Sequence, residues 1–251
     1  MTPIDQLAGF LREARRLLVF TGAGVSTGSG IPDYRGPRGV WQTRRPVYFQ
    51  DFLASDSARV EYWDFKLETW PVLRDAIPTS THRALAEWER AGRLFLLVTQ
   101  NIDGLHAAAG TSPERLVELH GTDRFIECLS CRSRVDPVPV FAAFAEHHAP
   151  PRCACGGWLK PATISFGQAL REDDLARAFG AAGHADAVLA LGSTLSVTPA
   201  ALVPLEAAGR GRPYAIVNQG PTEHDSMALV TLRLEGNLDA IVPEAVRRAL
   251  R

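Results

Sequence analysis

The amino-acid sequence predicts an α/β fold in which a parallel β-sheet carries helices on both faces. Short runs made entirely of apolar residues alternate along the chain with longer segments whose apolar residues recur at helical spacing. Strands that are apolar on both faces are typical of a covered parallel sheet. Clusters of glycine, amide and carboxylate residues follow several of these strands. Because ligands of such sheets bind beyond the carboxyl ends of the strands, these clusters indicate where a site lies.

The individual elements follow from periodicity and from capping residues. Thr2 and Pro3 suit the start of a first helix, while Thr81 and Gly92 suit the cap and the end of a later one. The predicted helices cover residues 4–14, 82–91, 172–182, 199–208 and 238–250. The predicted strands cover residues 17–20, 94–98, 116–119, 187–191 and 214–217.

Composition and charge exclude several classes of protein. The 251 residues suffice for one large domain or one domain with an insertion, and 46% hydrophobic with 22% charged residues is typical of globular proteins. A net charge of −1 gives no overall attraction to nucleic acid or anionic lipid. No apolar run reaches the roughly 18 residues of a membrane span, and the charged N-terminal segment does not resemble a secretory leader. We therefore expect a cytoplasmic protein without direct nucleic-acid or membrane partners. The oligomeric state is left open, and a monomer is compatible with the sequence.

Two segments interrupt the alternation of strands and helices. Residues 37–78 are rich in aromatic residues at irregular helical spacing, and we call them the helical module. Residues 125–160 contain all four cysteines, and we call them the cysteine module. We expect residues 1–36, 79–124 and 161–251 to form the sheet domain, with both modules as excursions from one catalytic unit.

A glycine-rich loop follows the first predicted strand. Gly22-Ala23-Gly24 is typical of the start of a dinucleotide site, where glycines allow the backbone to turn tightly and to approach a pyrophosphate. Thr27 occupies the position of the usual third glycine, and the acidic residue expected about twenty positions later is missing. On these glycines alone, a flexible surface loop is an equally good interpretation.

Three longer motifs carry a family resemblance. Residues 22–35 (GAGVSTGSGIPDYR) resemble throughout the extended glycine signature of sirtuins, the NAD-dependent protein deacylases. Residues 99–106 (TQNIDGLH) resemble a second element of that family, although alone they would be interpreted as a hydrogen-bonded turn. His120-Gly121 resembles the family's catalytic dipeptide. The resemblance implies a Rossmann-like NAD-binding domain, with the helical module serving as a cofactor-loop module.

The resemblance also implies a set of cofactor-binding residues. Asn101 and Asp103 would face the nicotinamide half of NAD, with Asp103 holding the carboxamide and both acting in catalysis. Tyr34 and Arg35 would lie on a loop that closes over the site. The full implied set is Gly22, Ala23, Gly24, Ser26, Asp33, Tyr34, Arg35, Gln100, Asn101, Ile102, Asp103, Gly192, Ser193, Thr194, Asn218 and Leu238.

His120 is the candidate general base among seven histidines. Any single histidine is more often structural or exposed than catalytic. His120 differs from the others because it follows a predicted strand that ends at the expected NAD pocket, and because it matches the family dipeptide. A side chain whose ordinary pKa lies near neutral pH suits proton transfer.

The four cysteines form two close pairs that suit one zinc ion. Cys128 and Cys131 are separated by two residues, and Cys153 and Cys155 by one. Four thiolates suit a tetrahedral structural zinc and leave no open position for a catalytic water. Two disulfides and unpaired core thiols are the alternatives, and a reducing compartment argues against the disulfides. The resemblance agrees, because sirtuins carry a four-cysteine structural zinc.

A further segment, residues 160–168 (KPATISFGQ), resembles the family stretch that pairs with the peptide substrate as an added strand. Ile164, Phe166 and Gly167 are the substrate-binding residues that this implies, and Gln168 stands where the family usually has glutamate. Without the resemblance, the segment would be interpreted as an ordinary edge strand.

Together the motifs imply an enzyme that transfers the acyl group of an acyl-lysine protein or peptide to ADP-ribose and releases nicotinamide. A mono-ADP-ribosyltransferase and an NAD hydrolase are the alternatives that would use the same pocket.

Overall fold

The computed structural model describes residues 1–33, 39–40 and 44–251. Tyr34 and Arg35, which we expect on the cofactor loop, lie outside the described residues.

A six-stranded parallel sheet forms the centre of the molecule, which confirms the predicted fold class. The strands are β1 (Leu17–Thr21), β2 (Leu94–Thr99), β3 (Leu116–Glu118), β4 (Gly121–Cys128), β5 (Arg134–Val135), β6 (Leu159–Thr163), β7 (Ala187–Leu191), β8 (Tyr214–Asn218) and β9 (Leu232–Glu235). The large sheet has the order β3-β2-β1-β7-β8-β9, and a second sheet has the order β5-β4-β6. Strands β1 and β7 lie side by side in the middle, where every residue of both is buried.

Helices cover both faces of the large sheet. The helices are α1 (Pro3–Glu13), α2 (Phe49–Ala54), α3 (Asp56–Asp75), α4 (Ser80–Arg90), α5 (Leu105–Ala108), α6 (Pro137–His147), α7 (Glu172–His184), α8 (Leu202–Gly209) and α9 (Leu238–Ala249). One face packs against α1, α4 and α9, and the other against α7 and α8. In the part of the chain that the structure describes, no helix is both long and apolar enough to cross a membrane.

The helix that we predicted over residues 82–91 begins earlier, and the predicted cap is wrong. Thr79 is the N-cap, because its hydroxyl and backbone N–H pair with His82 in a capping box. Thr81 lies inside the first turn and donates its hydroxyl to Asp239 at 2.7 Å. The helix predicted over residues 199–208 begins later, at Leu202.

The helical module and the cysteine module share a third apolar core, separate from the two cores of the large sheet. Trp63 and Phe52 of the helical module pack in it with Phe144 and Cys128 of the cysteine module. The ring centroids of Trp63 and Phe141 lie 5.4 Å apart in an edge-on arrangement. The two excursions therefore form one body beside the sheet.

Candidate active site

The candidate site is a cleft of about 2010 Å³ at the carboxyl ends of the sheet strands. Drug-sized ligands occupy roughly 300–1,000 Å³, so the cleft has room for a dinucleotide together with part of a peptide. All the predicted site residues that the structure describes, apart from the four cysteines, line this cleft. Their individual roles toward a cofactor or substrate stay predictions.

Two loops meet at the base of the cleft because three glycines allow their backbones to touch. The Gly24 N–H donates to the Gly192 carbonyl at 2.8 Å, and the Gly22 N–H donates to Leu191 at 3.0 Å. A Cβ on Gly22 would lie 2.8 Å from the Gly192 oxygen, and a Cβ on Gly24 would lie 2.7 Å from the Gly192 Cα. Gly192 itself has a φ of +60°. These glycines thus pack the loop after β1 against the loop after β7.

A buried polar network connects the glycine loop with the residues after β2. The Asn101 side-chain amide donates to the Gly22 carbonyl and to the Ser26 hydroxyl, each at 3.1 Å. The Ser26 hydroxyl donates to Asp103 at 2.7 Å, and the other Asp103 oxygen accepts from the Leu105 N–H at 2.9 Å. Asn101 and Asp103 are 8% and 5% exposed. The network fixes an amide, which can donate and accept, and a carboxylate, which accepts, at the wall of the cleft. These are the polar groups that a carboxamide or a ribose would meet.

Gln100 connects this network to its neighbours on both sides. Its side-chain amide donates to the Ser193 hydroxyl at 2.9 Å. Its backbone carbonyl lies 2.8 Å from Nδ1 of His120. Because a carbonyl only accepts, Nδ1 of a neutral His120 carries the proton and Nε2 carries the lone pair. The imidazole is therefore held in the tautomer that can take up a proton at Nε2.

The predicted substrate segment runs along the same cleft. The Ile164 N–H donates to the carbonyl of His120 at 2.7 Å. The Gln168 side chain accepts from the Ser165 N–H at 3.0 Å, so it closes the turn that follows. Lys160, which is 2% exposed, donates its ammonium to the carbonyls of Pro161 and Thr163 and fixes the end of β6. Burial lowers the pKa of this lysine.

Other titratable groups near the cleft are perturbed by burial. Burial and the nearby charge of Asp103 raise the pKa of Glu118 to about 7. Burial lowers the pKa of His106 well below its usual value, and the ring accepts or donates one hydrogen bond at Thr21, 2.9 Å away. We therefore assign His106 a structural role, because its ring is buried and hydrogen-bonded to Thr21 at the end of β1.

The sequence did not predict Glu235 and Lys66, which also line the cleft. Glu235 ends β9 and pairs with Asn218, and the alternation of Leu232 and Leu234 was the available signal for that strand. Lys66 lies on α3 and forms a buried ion pair with Asp123 at 3.0 Å. Lys66 and Asp123 are 57 positions apart, so no local sequence pattern indicates that they form a pair.

The four cysteines converge as the pairing predicted. Their sulfur atoms all lie within 4.8 Å of one another, with Cys128 and Cys155 at 3.5 Å and Cys131 and Cys153 at 3.8 Å. A tetrahedral zinc with bonds of about 2.3 Å separates its sulfur ligands by about 3.8 Å. Disulfides are excluded because all four cysteines are free. The cluster suits one structural zinc ion.

Comparisons with known proteins agree with the motifs. A relative named NAD-dependent protein deacetylase 1 from Bradyrhizobium diazoefficiens is 39% identical over 230 residues, which is 92% of this chain and 91% of the relative. An NAD-dependent protein deacetylase from Haloarcula marismortui is 40% identical over 253 residues, covering 98% of this chain and 94% of the relative. The solved structure of Sir2 with a p53 peptide and NAD+ has a TM-score of 0.84 at 33% identity and covers 100% of this chain and 98% of that one.

The family model points the same way. The model of the Sir2 family matches residues 22–199, a span that includes the glycine loop, the network, His120 and the four cysteines. The resemblance drawn from the motifs is confirmed: the chain belongs to the Sir2 family.

Proposed function

We propose that this protein is an NAD-dependent protein deacetylase. It transfers the acetyl group of an acetyl-lysine side chain to ADP-ribose and releases nicotinamide. The observation that carries this function is the placement of His120, whose tautomer is set by Gln100, in the same cleft as the Ser26–Asn101–Asp103 network. A Sir2 structure with a deacetylated p53 peptide and 3'-O-acetyl ADP-ribose, at 34% identity and a TM-score of 0.85, supports it.

The cleft at the carboxyl ends of the strands would hold NAD. Asn101 and Asp103 hold the nicotinamide half, and Ser193 and Thr194 face the ribose or phosphates. The glycine loop, together with Ala23, surrounds the pyrophosphate side, and Ile102 lies with its neighbours Asn101 and Asp103 at the nicotinamide half. Asp33 also lines the cleft. Asn218 and Leu238 lie at the adenosine end. Asn218 is suited to this because the end of β8 places its buried amide at the cleft.

His120 acts as the general base. Bound NAD supplies an electrophilic ribose carbon that carries nicotinamide as its leaving group. Nε2 of His120 accepts a proton from a ribose hydroxyl while Nδ1 keeps its hydrogen bond to the Gln100 carbonyl. The ring can carry the resulting charge because that carbonyl stabilises the Nδ1 proton. Asn101, the residue after Gln100, orients the reacting groups from the network at Gly22 and Ser26.

The peptide lies against Ile164, Phe166 and Gly167 as an added strand, and its acetyl-lysine enters the cleft beside His120. Backbone pairing of this kind gives affinity with little demand on sequence. We propose acetyl rather than carboxylate-bearing acyl groups as substrates, because two of the cations that line the cleft are already paired, Lys66 with Asp123 and Arg44 with Glu68. An acyl carboxylate that approached either cation would have to compete with its pair.

The decisive experiment measures turnover of an acetyl-lysine peptide, with and without NAD, in the wild type and in His120→Ala. We expect turnover to need NAD, to yield nicotinamide in equal amount, and to fall about 10²–10⁴-fold in the variant because general-base catalysis is lost. NAD affinity should stay close to that of the wild type. A succinyl-lysine peptide, assayed in parallel, should react more slowly.

His184→Ala is the matched control. Nδ1 of His184 also lies 2.8 Å from a backbone carbonyl, but the residue is exposed and ends α7 away from the cleft. Its loss should leave turnover unchanged. NAD consumption without peptide would indicate an NAD hydrolase, and label fixed to protein would indicate an ADP-ribosyltransferase; either result would contradict the proposal.

A further inference from the structure

We propose that Arg59 is a positioning residue for the peptide substrate, acting through α2 on the segment 164–167. The inference rests on the proposed function, since it concerns how that function's peptide is held. Arg59 does not line the cleft; it lies behind it, on α3 of the helical module.

Arg59 completes the C-terminal end of α2. A helix of six residues has little stability of its own, and the carbonyls of its last turn lack partners within the helix. Nη1 of Arg59 donates to the carbonyls of Phe52 and Leu53 at 2.6 and 2.9 Å, while Nη2 donates to Asp56 at 2.6 Å. Arg59 is 6% exposed, so these bonds are shielded from water.

The same guanidinium connects α2 to the cysteine module. Its central carbon lies 4.0 Å from the centre of the Trp158 ring, and that of Arg152 lies 3.4 Å from the same point. Two guanidinium groups this close to one ring centre must occupy opposite faces of it. The Trp158 carbonyl accepts from the Leu129 N–H at 2.9 Å, which ties the tryptophan to the chain between the first two cysteines. Arg59 therefore connects α2 to the module that carries the four cysteines, which one zinc ion would hold together.

The other end of α2 contacts the substrate segment directly. The Phe49 N–H, the first of the helix, donates to the Phe166 carbonyl at 2.8 Å. The Tyr48 and Phe166 rings lie 6.0 Å apart. On the other side, Ile164 is bonded to the carbonyl of His120. The segment thus spans from the general base to α2.

This arrangement predicts an effect on peptide binding and not on chemistry. The segment 164–167 lies beyond the end of β6 and is not itself a strand. A peptide binds such a segment best when its backbone is already ordered, because otherwise binding must supply the ordering entropy. Loosening α2 should raise the peptide KM and Kd and leave kcat and NAD affinity nearly unchanged. A general loss of structure would change all four quantities.

Phe49→Pro, compared with Phe49→Ala, isolates the bond between α2 and the segment. Proline lacks the N–H but suits the first position of a helix, and the backbone of Tyr48 (φ −75°, ψ 153°) is one that tolerates a following proline. Alanine removes the ring and keeps the N–H. We expect the proline variant to have a peptide KM about 3- to 10-fold above that of the alanine variant, the usual range for one hydrogen bond. Equal KM values would overturn the proposal.

Arg59→Lys tests the other end, with Arg93→Lys as the matched control. Lysine keeps the charge but lacks the planar guanidinium, so it cannot lie flat on Trp158 while also donating to the Phe52 and Leu53 carbonyls and to Asp56. Arg93 also stacks on a tryptophan, Trp88 at 5.3 Å, and donates to the last carbonyls of α1, far from the substrate segment. We expect Arg59→Lys to raise the peptide KM, and the Kd of the same peptide measured without NAD, and Arg93→Lys to lower only thermal stability.

The outcomes separate this inference from the function beneath it. A wild type that binds and deacetylates the peptide while Arg59→Lys keeps its KM, or loses kcat instead, overturns the positioning role alone. A wild type that neither binds nor deacetylates the peptide overturns the proposed function.

Discussion

Glu118 lies two residues before His120, at the carboxyl end of β3, where its partner in the sheet is Thr99. Burial, together with the charge of Asp103, raises its pKa to about 7, although Arg124 opposes the shift. A carboxyl group of this kind is protonated in the folded protein at a pH where the unfolded chain has already released its proton. Its ionisation therefore opposes folding.

Glu118→Gln should remove this pH dependence. Because the folded pKa lies above the usual 4.5, the wild type loses stability as pH rises from about 4 to 7, by about 3 kcal/mol. The variant should match the wild type near pH 4 and exceed its free energy of unfolding at about pH 8. Urea unfolding at both pH values measures this difference. Glu114→Gln, at an exposed glutamate, should keep the wild-type pH dependence. If Glu118→Gln keeps it too, the pKa of Glu118 is not raised in the folded protein.

Residues of the site differ in how far the sequence reveals them. His120 and Asn101 follow predicted strands, so their place at the sheet edge follows from the fold class alone. The environment of Glu118 depends on Asp103, fifteen positions earlier, and on Arg124, and neither distance is encoded in a local pattern. Tertiary packing decides such properties.

At the level of elements, the loops after β1 and β7 act as one unit. From the sequence, the glycines were expected to approach a pyrophosphate; in the structure Gly22 and Gly24 meet Gly192. The loop contact uses the N–H groups of these glycines, because Gly22 donates to the Leu191 carbonyl and Gly24 to the Gly192 carbonyl, so a pyrophosphate would need other donors in the cleft. The two loops meet at the carboxyl ends of β1 and β7, the central strands of the parallel sheet, and we call this contact the central joint.

Gly192→Ala should damage this joint, and Gly211→Ala is its matched control. Both glycines have positive φ, +60° and +76°, so alanine costs about 1–2 kcal/mol at either. Only at Gly192 would the new Cβ meet backbone, 2.7 Å from Gly24, which adds about 1–3 kcal/mol of overpacking. Urea unfolding should show the larger loss for Gly192→Ala, and NAD affinity should fall in that variant alone. Equal losses would show that the loops can separate without cost.

The strands that the sequence revealed are those buried on both faces. β1 and β7 are continuous apolar runs, and a parallel sheet requires nothing else of them. β4 was missed because its residues include Asp123 and Glu127. Asp123 is paired with Lys66, which is distant in sequence, and Glu127 is paired with the nearby Arg132 and Arg134 and with the distant Arg171. A strand that contains charged residues can be predicted from the sequence only when the partners of those charges are known.

For the whole molecule, stability depends on apolar cores that are separate from one another. The two cores of the large sheet hold β1, β2, β7 and β8 together with the helices on both faces. The third core joins the helical and cysteine modules and includes Cys128. A cysteine that is both a buried core residue and a metal ligand makes this core depend on the metal.

Removing zinc should therefore unfold the two modules and leave the sheet folded. Metal analysis should first give about one zinc per chain. After chelation under reducing conditions, we expect the tryptophan emission to shift to the red, because Trp63, at 0% exposure in the third core, becomes hydrated. Far-UV circular dichroism should keep most of its helical signal, and NAD should still raise the temperature of the remaining transition. Peptide binding should be lost, since α2 loses its support at Trp158. The variant Trp63→Phe should show a smaller red shift. Complete unfolding in one step, or unchanged emission on loss of the metal, would show that the cores are not separable in this way.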